Sequence, residues 1–86
     1  MSENKAPEIY VRNYCGYCYK VVHAIKILKL EIDIKNIWAD PISKDDLVKA
    51  TGSSRVPVLR YKDDQGQECW LPESDDIIKQ LSKLAV

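Results

Sequence analysis

Neither sign of charge is in excess in this sequence: thirteen Lys and Arg stand against thirteen Asp and Glu, with no long block of either. A phosphate-backbone binder needs a basic surface to release counterions, so no nucleic-acid partner is expected. No apolar run approaches the ~20 residues that span a bilayer. Met1 to Glu8 is polar and lacks the apolar stretch of a secretory leader. Internal repeats, low-complexity tracts and linkers are absent as well. Cysteine is scarce and odd in number, at three, whereas a small secreted scaffold usually carries an even set of four or more. These absences point to a cytoplasmic protein with no membrane partner.

What is present fits one domain. Eighty-six residues, 45% of them hydrophobic, can build one modest core without disulfide staples. Residues 1–7 read as a loose lead-in ending at Pro7. Ile9-Tyr10-Val11 is a short β-branched and aromatic run, a first strand. Cys15 and Cys18 follow, and then Cys18, Val21, Val22, Ile25 and Leu28 fall at helical spacing. A second strand lies within Glu31 to Trp38 and is broken by Asp40-Pro41. Ser43, with Asp46 three residues on, predicts an N-cap for a helix over 43–51 that Gly52 closes. Val56 to Tyr61 reads as a third strand, Asp63-Asp64-Gln65-Gly66 as a turn, and Glu68 to Leu71 as a fourth strand. Ser74 is expected to cap a last helix with apolar positions at Ile77, Ile78, Leu81 and Leu84.

The order β-α-β-α-β-β-α predicts an α/β, thioredoxin-like fold. Its βαβ unit gives two parallel strands and its hairpin adds two antiparallel ones. The result is a four-stranded mixed sheet flanked by three helices.

The C-x-x-C falls between strand and helix, and that setting carries its chemistry. A thiolate is the nucleophile, and a free cysteine is mostly protonated at neutral pH. Unpaired N–H groups at a helix start, with Arg12 three residues before and Lys20 five after, favour negative charge at Cys15. Cys18, one turn deeper on the apolar stripe, stays protonated. Cys15 is therefore the candidate attacking thiol and Cys18 the resolving one. Two other readings stand beside this. The pair could be small hydrophobes in a helix, or half of a zinc site completed by Cys69 and His23. Pro57 marks either an edge-strand start or a cis bond that turns the Val56 backbone toward the cysteines. Cys69 has no motif partner and reads as a half-buried strand cysteine or an exposed, oxidisable thiol.

Taken together, Arg12-Asn13-Tyr14-Cys15-Gly16-Tyr17-Cys18, Arg55-Val56-Pro57 and Ser74-Asp75-Asp76 resemble the glutaredoxin family, over about Ile9 to Leu84. The resemblance implies glutathione-dependent reduction of protein disulfides and glutathione mixed disulfides. It also implies a monomer that uses glutathione as co-substrate and takes disulfide-bearing or glutathionylated client proteins as partners. Val56 and cis-Pro57 would pair with the cysteinyl part of glutathione, Ser74 and Asp75 with its γ-glutamyl end, and Arg12 and Lys44 with its glycyl carboxylate; Tyr17 would line the groove. Read without it, Ser74 and Asp75 are ordinary capping residues, Arg12 and Lys44 solvated charges, and Tyr17 a cover for the core.

The chain departs from the family at three places. Gly16 replaces the usual proline. Some glutaredoxins with Gly or Ser there bridge a 2Fe–2S cluster between two subunits through the first cysteine and glutathione, so such a dimer, with Cys15 as ligand, is the alternative function. Arg55 stands where threonine is common. Leu71-Pro72-Glu73-Ser74 replaces a Gly-Gly pair and looks like the Glu-Ser signature of glutathione transferase N-terminal domains. A complete transferase is not expected from 86 residues, which leave no room for its helical second domain.

Overall fold

The computed structural model describes residues 7–63 and 65–84. Its elements follow the expected order: β1 (Glu8–Val11), α1 (Gly16–Leu28), β2 (Asp33–Asn36), α2 (Pro41–Thr51), β3 (Val58–Lys62), β4 (Glu68–Leu71) and α3 (Ser74–Leu84). The sheet runs β2-β1-β3-β4. β1 pairs with β2 in parallel, Ile9 opposite Ile34, and with β3 antiparallel, Ile9 opposite Leu59. β4 closes the far edge as the hairpin partner of β3, Tyr61 opposite Cys69. This is the thioredoxin-like arrangement. Met1 to Ala6 of the expected lead-in and Asp64 of the expected turn lie outside the described residues.

Alternation along the central strands divides the core in two. Ile9, Val11 and Leu59 face Cys18, Val21 and Ile25 of α1 and Ile77 and Leu81 of α3. Tyr10 and Val58 face the other way, against Leu47 of α2 and Ile37. Each fully buried Leu or Ile contributes roughly 1.5–3 kcal/mol of burial free energy. β1 is apolar on both faces because both faces are covered.

Three boundaries differ from the sequence reading. Helix α2 starts at Pro41, two residues early: the Asp40 side chain accepts from the Ile42 N–H at 3.1 Å and from the Ser43 hydroxyl at 2.7 Å. Asp40 is thus the cap and Pro41, with no N–H to leave unpaired, takes the first helical position. Gly52 closes α2 at φ 78°, as expected. Strand β3 starts at Val58, because Val56 and Pro57 form the bend that leads into it. In α3 the Glu73 carbonyl accepts the first helical bond, from Ile77 N at 2.8 Å, so Ser74 stands one residue inside the helix rather than at its cap.

At the hairpin the Asp63 carboxylate accepts from the Gln65 and Gln67 N–H groups, both at 2.9 Å, and Gly66 adopts φ 79°. Among the described residues no helix is long and apolar enough to cross a membrane.

Candidate active site

Strand order decides what surrounds Cys15. β2 runs parallel to β1 and β3 runs antiparallel to it, so the end of β2 and the start of β3 flank the end of β1. Cys15 therefore lies between the segment after β2, which carries Trp38, and the Val56-Pro57 bend before β3.

Cys15 is the N-cap of α1, with extended backbone at φ −122° and ψ 110°. Its Sγ takes the place a serine or aspartate oxygen usually fills, accepting from the Cys18 N–H at 3.3 Å. The sulfur thus faces a donor at the positive end of a helix dipole, a setting complementary to negative charge. Cys18 lies on the buried face of α1 with Val21 and Ile25 and is 2% exposed, against 6% for Cys15. Burial, reinforced by its hydrogen bond to Cys15, pushes the Cys18 thiol up to about 12. Cys18 thus holds its proton at neutral pH. Both cysteines are free thiols.

The loop before Cys15 is braced from several sides. Tyr14 adopts φ 57°, a left-handed conformation that costs a residue with a Cβ roughly 1–2 kcal/mol. The Arg12 guanidinium donates to the carbonyls of Asn13 at 2.9 Å and Tyr14 at 3.4 Å, and lies 5.5 Å from the Trp38 ring centroid. Asn36 donates to the Asn13 side chain at 2.8 Å.

On the β3 side of Cys15 lies a cavity of about 480 Å³ lined by Tyr17, Arg55, Val56, Pro57, Pro72, Glu73, Ser74 and Asp75. The Val56-Pro57 bond is cis, one of the two readings the sequence left open. The N–H groups that open α3, at Ser74 and Asp75, have no partner within the helix. Five expected binding residues thus come together: Tyr17, Val56, Pro57, Ser74 and Asp75.

Arg12 and Lys44 do not line this cavity. Arg12 is committed to the loop carbonyls. Lys44, with α2 starting at Pro41, lies a full turn inside that helix, and its N–H donates to the Asp40 carbonyl at 3.2 Å. Arg55, Pro72 and Glu73 line the cavity without having been singled out as binding residues. The available signal was adjacency for Arg55 and Glu73, which directly neighbour Val56 and Ser74, whereas Pro72 stands two residues from Ser74. Asp75 carries a cationic partner already, Lys20 Nζ at 3.0 Å, with both side chains largely exposed.

Among the described residues no group of three or more His, Cys, Asp or Glu is placed to hold a metal ion. Cys69 sits on β4 and His23 on the exposed side of α1, so neither completes a zinc site with the C-x-x-C. A 2Fe–2S cluster takes four sulfur ligands. Among the described residues only Cys15 and Cys18 meet here, so such a cluster would need thiols from glutathione and a second copy. Cys69 is half-buried, as read, its Sγ 3.6 Å from the Gln67 carbonyl and 4.0 Å from the Asp63 carboxylate.

The chain is similar in structure to a thioredoxin-like protein at 18% identity and TM-score 0.69, over 91% of this chain and 97% of that one. It is also similar to maleylacetoacetate isomerase from Anaeromyxobacter dehalogenans, solved with glutathione bound in its active site, at 18% identity and TM-score 0.69 over 98% of this chain. A glutathione S-transferase from the Antarctic clam Laternula elliptica matches at 20% identity and TM-score 0.67 over 94% of this chain. This chain spans 39% of the isomerase and 36% of the transferase. No curated protein sequence matches it. The family described as "Glutathione S-transferase, N-terminal domain" matches residues 14–84, from the residue before Cys15 to the end of α3. The chain therefore belongs to the glutathione S-transferase N-terminal domain family, on a thioredoxin-like fold.

Proposed function

We propose that this chain is a glutathione-dependent thiol–disulfide oxidoreductase of the glutaredoxin type, acting on protein disulfides and glutathione mixed disulfides in a reducing, cytoplasmic setting. The observation that carries it is the division of labour in the C-x-x-C: Cys15 Sγ accepts a backbone N–H at the start of α1 while Cys18, buried, keeps its proton.

The Cys15 thiolate attacks the glutathione sulfur of a mixed disulfide. A Cys15–glutathione disulfide forms, the client–glutathione bond breaks, and the client thiolate leaves and takes up a proton from water. A second glutathione thiolate then attacks the glutathione sulfur on Cys15, releasing oxidised glutathione and restoring the Cys15 thiolate. The glutathione brought in on the client and one incoming glutathione thiol leave together as oxidised glutathione, so one glutathione thiol is consumed and the client cysteine returns to the thiol. For a client disulfide, Cys15 forms the mixed disulfide with the client. Cys18, once its proton is lost, attacks Cys15 and releases the second client thiol, and two glutathione thiols then reduce the resulting Cys15–Cys18 disulfide and leave as oxidised glutathione. Glutathione fits the cavity beside Cys15 by chemistry. Its γ-glutamyl carboxylate suits the free N–H groups of α3, its ammonium suits Asp75, and its cysteinyl backbone suits Val56.

The family match favours a second reading, conjugation, in which glutathione's own thiolate attacks an apolar electrophile. One assay pair separates the two. Reduction of the glutathione–mercaptoethanol mixed disulfide with glutathione as sole donor is expected, and conjugation of 1-chloro-2,4-dinitrobenzene is not. Conjugation without disulfide reduction would reverse the assignment.

A further inference from the structure

Between them Tyr14 and Trp38 make an aromatic surface that the chemistry above does not use. Tyr14 is 82% exposed and Trp38 56%, with ring centroids 6.1 Å apart. Neither lines the cavity on the β3 side. The surface is built rather than incidental. Tyr14 is held at φ 57°, a conformation an aromatic residue rarely takes, and Arg12 Nη1 donates to the Asn13 and Tyr14 carbonyls of that turn. The same guanidinium lies against Trp38, whose N–H is tied to Asn36 Oδ1 at 2.9 Å.

Position identifies the occupant. Tyr14 adjoins Cys15 in sequence, and the strand order puts Trp38 on the β2 side of that cysteine, opposite the cavity. With glutathione in the cavity, the other half of a mixed disulfide is bonded to the same sulfur and has the β2 side left to it. An exposed aromatic pair gives a polypeptide large contact area at low entropic cost, contact that a small thiol is too short to use.

We propose that Tyr14 and Trp38 form the client-docking surface of this chain, taking apolar or aromatic side chains that neighbour the glutathionylated cysteine of a client polypeptide. This rests on the oxidoreductase reading, and the test keeps the two separable. The substrates are a glutathionylated peptide with Phe on each side of its cysteine, the same peptide with Gly there, and the small glutathione–mercaptoethanol disulfide. Wild type is expected to favour the Phe peptide over the Gly peptide by about tenfold in kcat/KM. The Tyr14→Asn/Trp38→Gln double variant, with a residue that tolerates the left-handed turn at position 14, should lose that preference. Its turnover of the small disulfide should stay within about twofold of wild type. No preference in wild type, a preference that survives in the variant, or an equal loss on all three substrates overturns the proposal.

If wild type reduces none of them, the oxidoreductase reading fails. The surface is then judged by binding of a non-reducible thioether analogue of the Phe peptide. A shift of the Trp38 indole resonance that Tyr14→Asn removes sustains the docking surface, and no shift refutes it.

Discussion

The two ends of this sheet treat a thiol in opposite ways. At the end where β1 gives way to α1, Cys15 Sγ receives a hydrogen bond from the Cys18 N–H, with the dipole of a thirteen-residue helix behind it. At the hairpin end, Cys69 Sγ faces two acceptors, the Gln67 carbonyl and the Asp63 carboxylate. A donor complements electron density on sulfur, whereas acceptors hold the S–H proton. The lesson is that exposure alone misleads, for Cys69 is the more open of the two and Cys15 is 6% exposed. Reactivity is read from the polarity of the surrounding groups.

The sharpest break in that comparison is Cys15→Ser. Turnover of the glutathione–mercaptoethanol disulfide should fall by at least about 100-fold, because a hydroxyl is a poor nucleophile without a base beside it. Retained turnover would move the nucleophile elsewhere, with Cys69 the first thiol to examine. Peptide mapping after brief iodoacetamide treatment at pH 7 should find Cys15 labelled ahead of Cys69, and Cys18 last.

Cys18 gives the next largest effect, and it is a pH effect. Its thiol ionises ordinarily near 9.0 and is pushed up to about 12 in the fold. Below pH 9 the folded and unfolded chains both hold the proton, and the shift changes nothing. Between pH 9 and 12 the unfolded chain releases it while the folded chain keeps it, so stability falls as pH rises. Urea midpoints should therefore drop more steeply over that window in wild type than in Cys18→Ala. Parallel slopes would mean that Cys18 is not the buried member of the pair. Cys18→Ser should still turn over the small mixed disulfide, which needs one thiol only, while reduction of a client disulfide declines.

Much of this was legible in the sequence because the signals are local. The helical spacing of Cys18, Val21 and Ile25 carries α1 and its buried face, and Gly52 carries the end of α2. The errors arose where two signals competed. Asp40 and Ser43 are both good caps three residues apart, and Pro41 decided for Asp40 because it can only open a helix, a role first read as breaking the strand. The site was legible as far as neighbours in sequence carried it. Val56, Pro57, Ser74 and Asp75, named by motif, do line one cavity, but nothing in the spacing of Arg12 says that its guanidinium turns back onto the Asn13 and Tyr14 carbonyls. That choice depends on Trp38, twenty-six residues on and brought close by β2. Arg55 escaped for a similar reason, since a charge before a proline announces no direction.

A smaller effect is expected at Lys20. Its ion pair with Asp75 ties α1 to the start of α3, and exposed pairs of this kind stabilise by about 1 kcal/mol or less. Lys20→Gln should leave the urea midpoint nearly unchanged. If Asp75 takes the ammonium of glutathione, freeing that carboxylate should lower the KM for glutathione by about twofold. A rise in KM would instead make Lys20 a ligand for one of the carboxylates.

Cys69→Ser is the smallest expected change and the cleanest control on the comparison. Position 69 lies across from Tyr61 in the β3–β4 pair, toward the hairpin, while Cys15 sits where the start of β3 flanks the end of β1. A serine hydroxyl can donate to the same Gln67 and Asp63 acceptors, so the hairpin keeps its hydrogen bonds. The burial of Tyr61, which pushes its phenol up, is left in place. Turnover should stay within about twofold of wild type with every substrate. A loss confined to turnover, with an unchanged urea midpoint, would make Cys69 a participant. The two ends of the sheet would then be parts of one thiol relay rather than opposites.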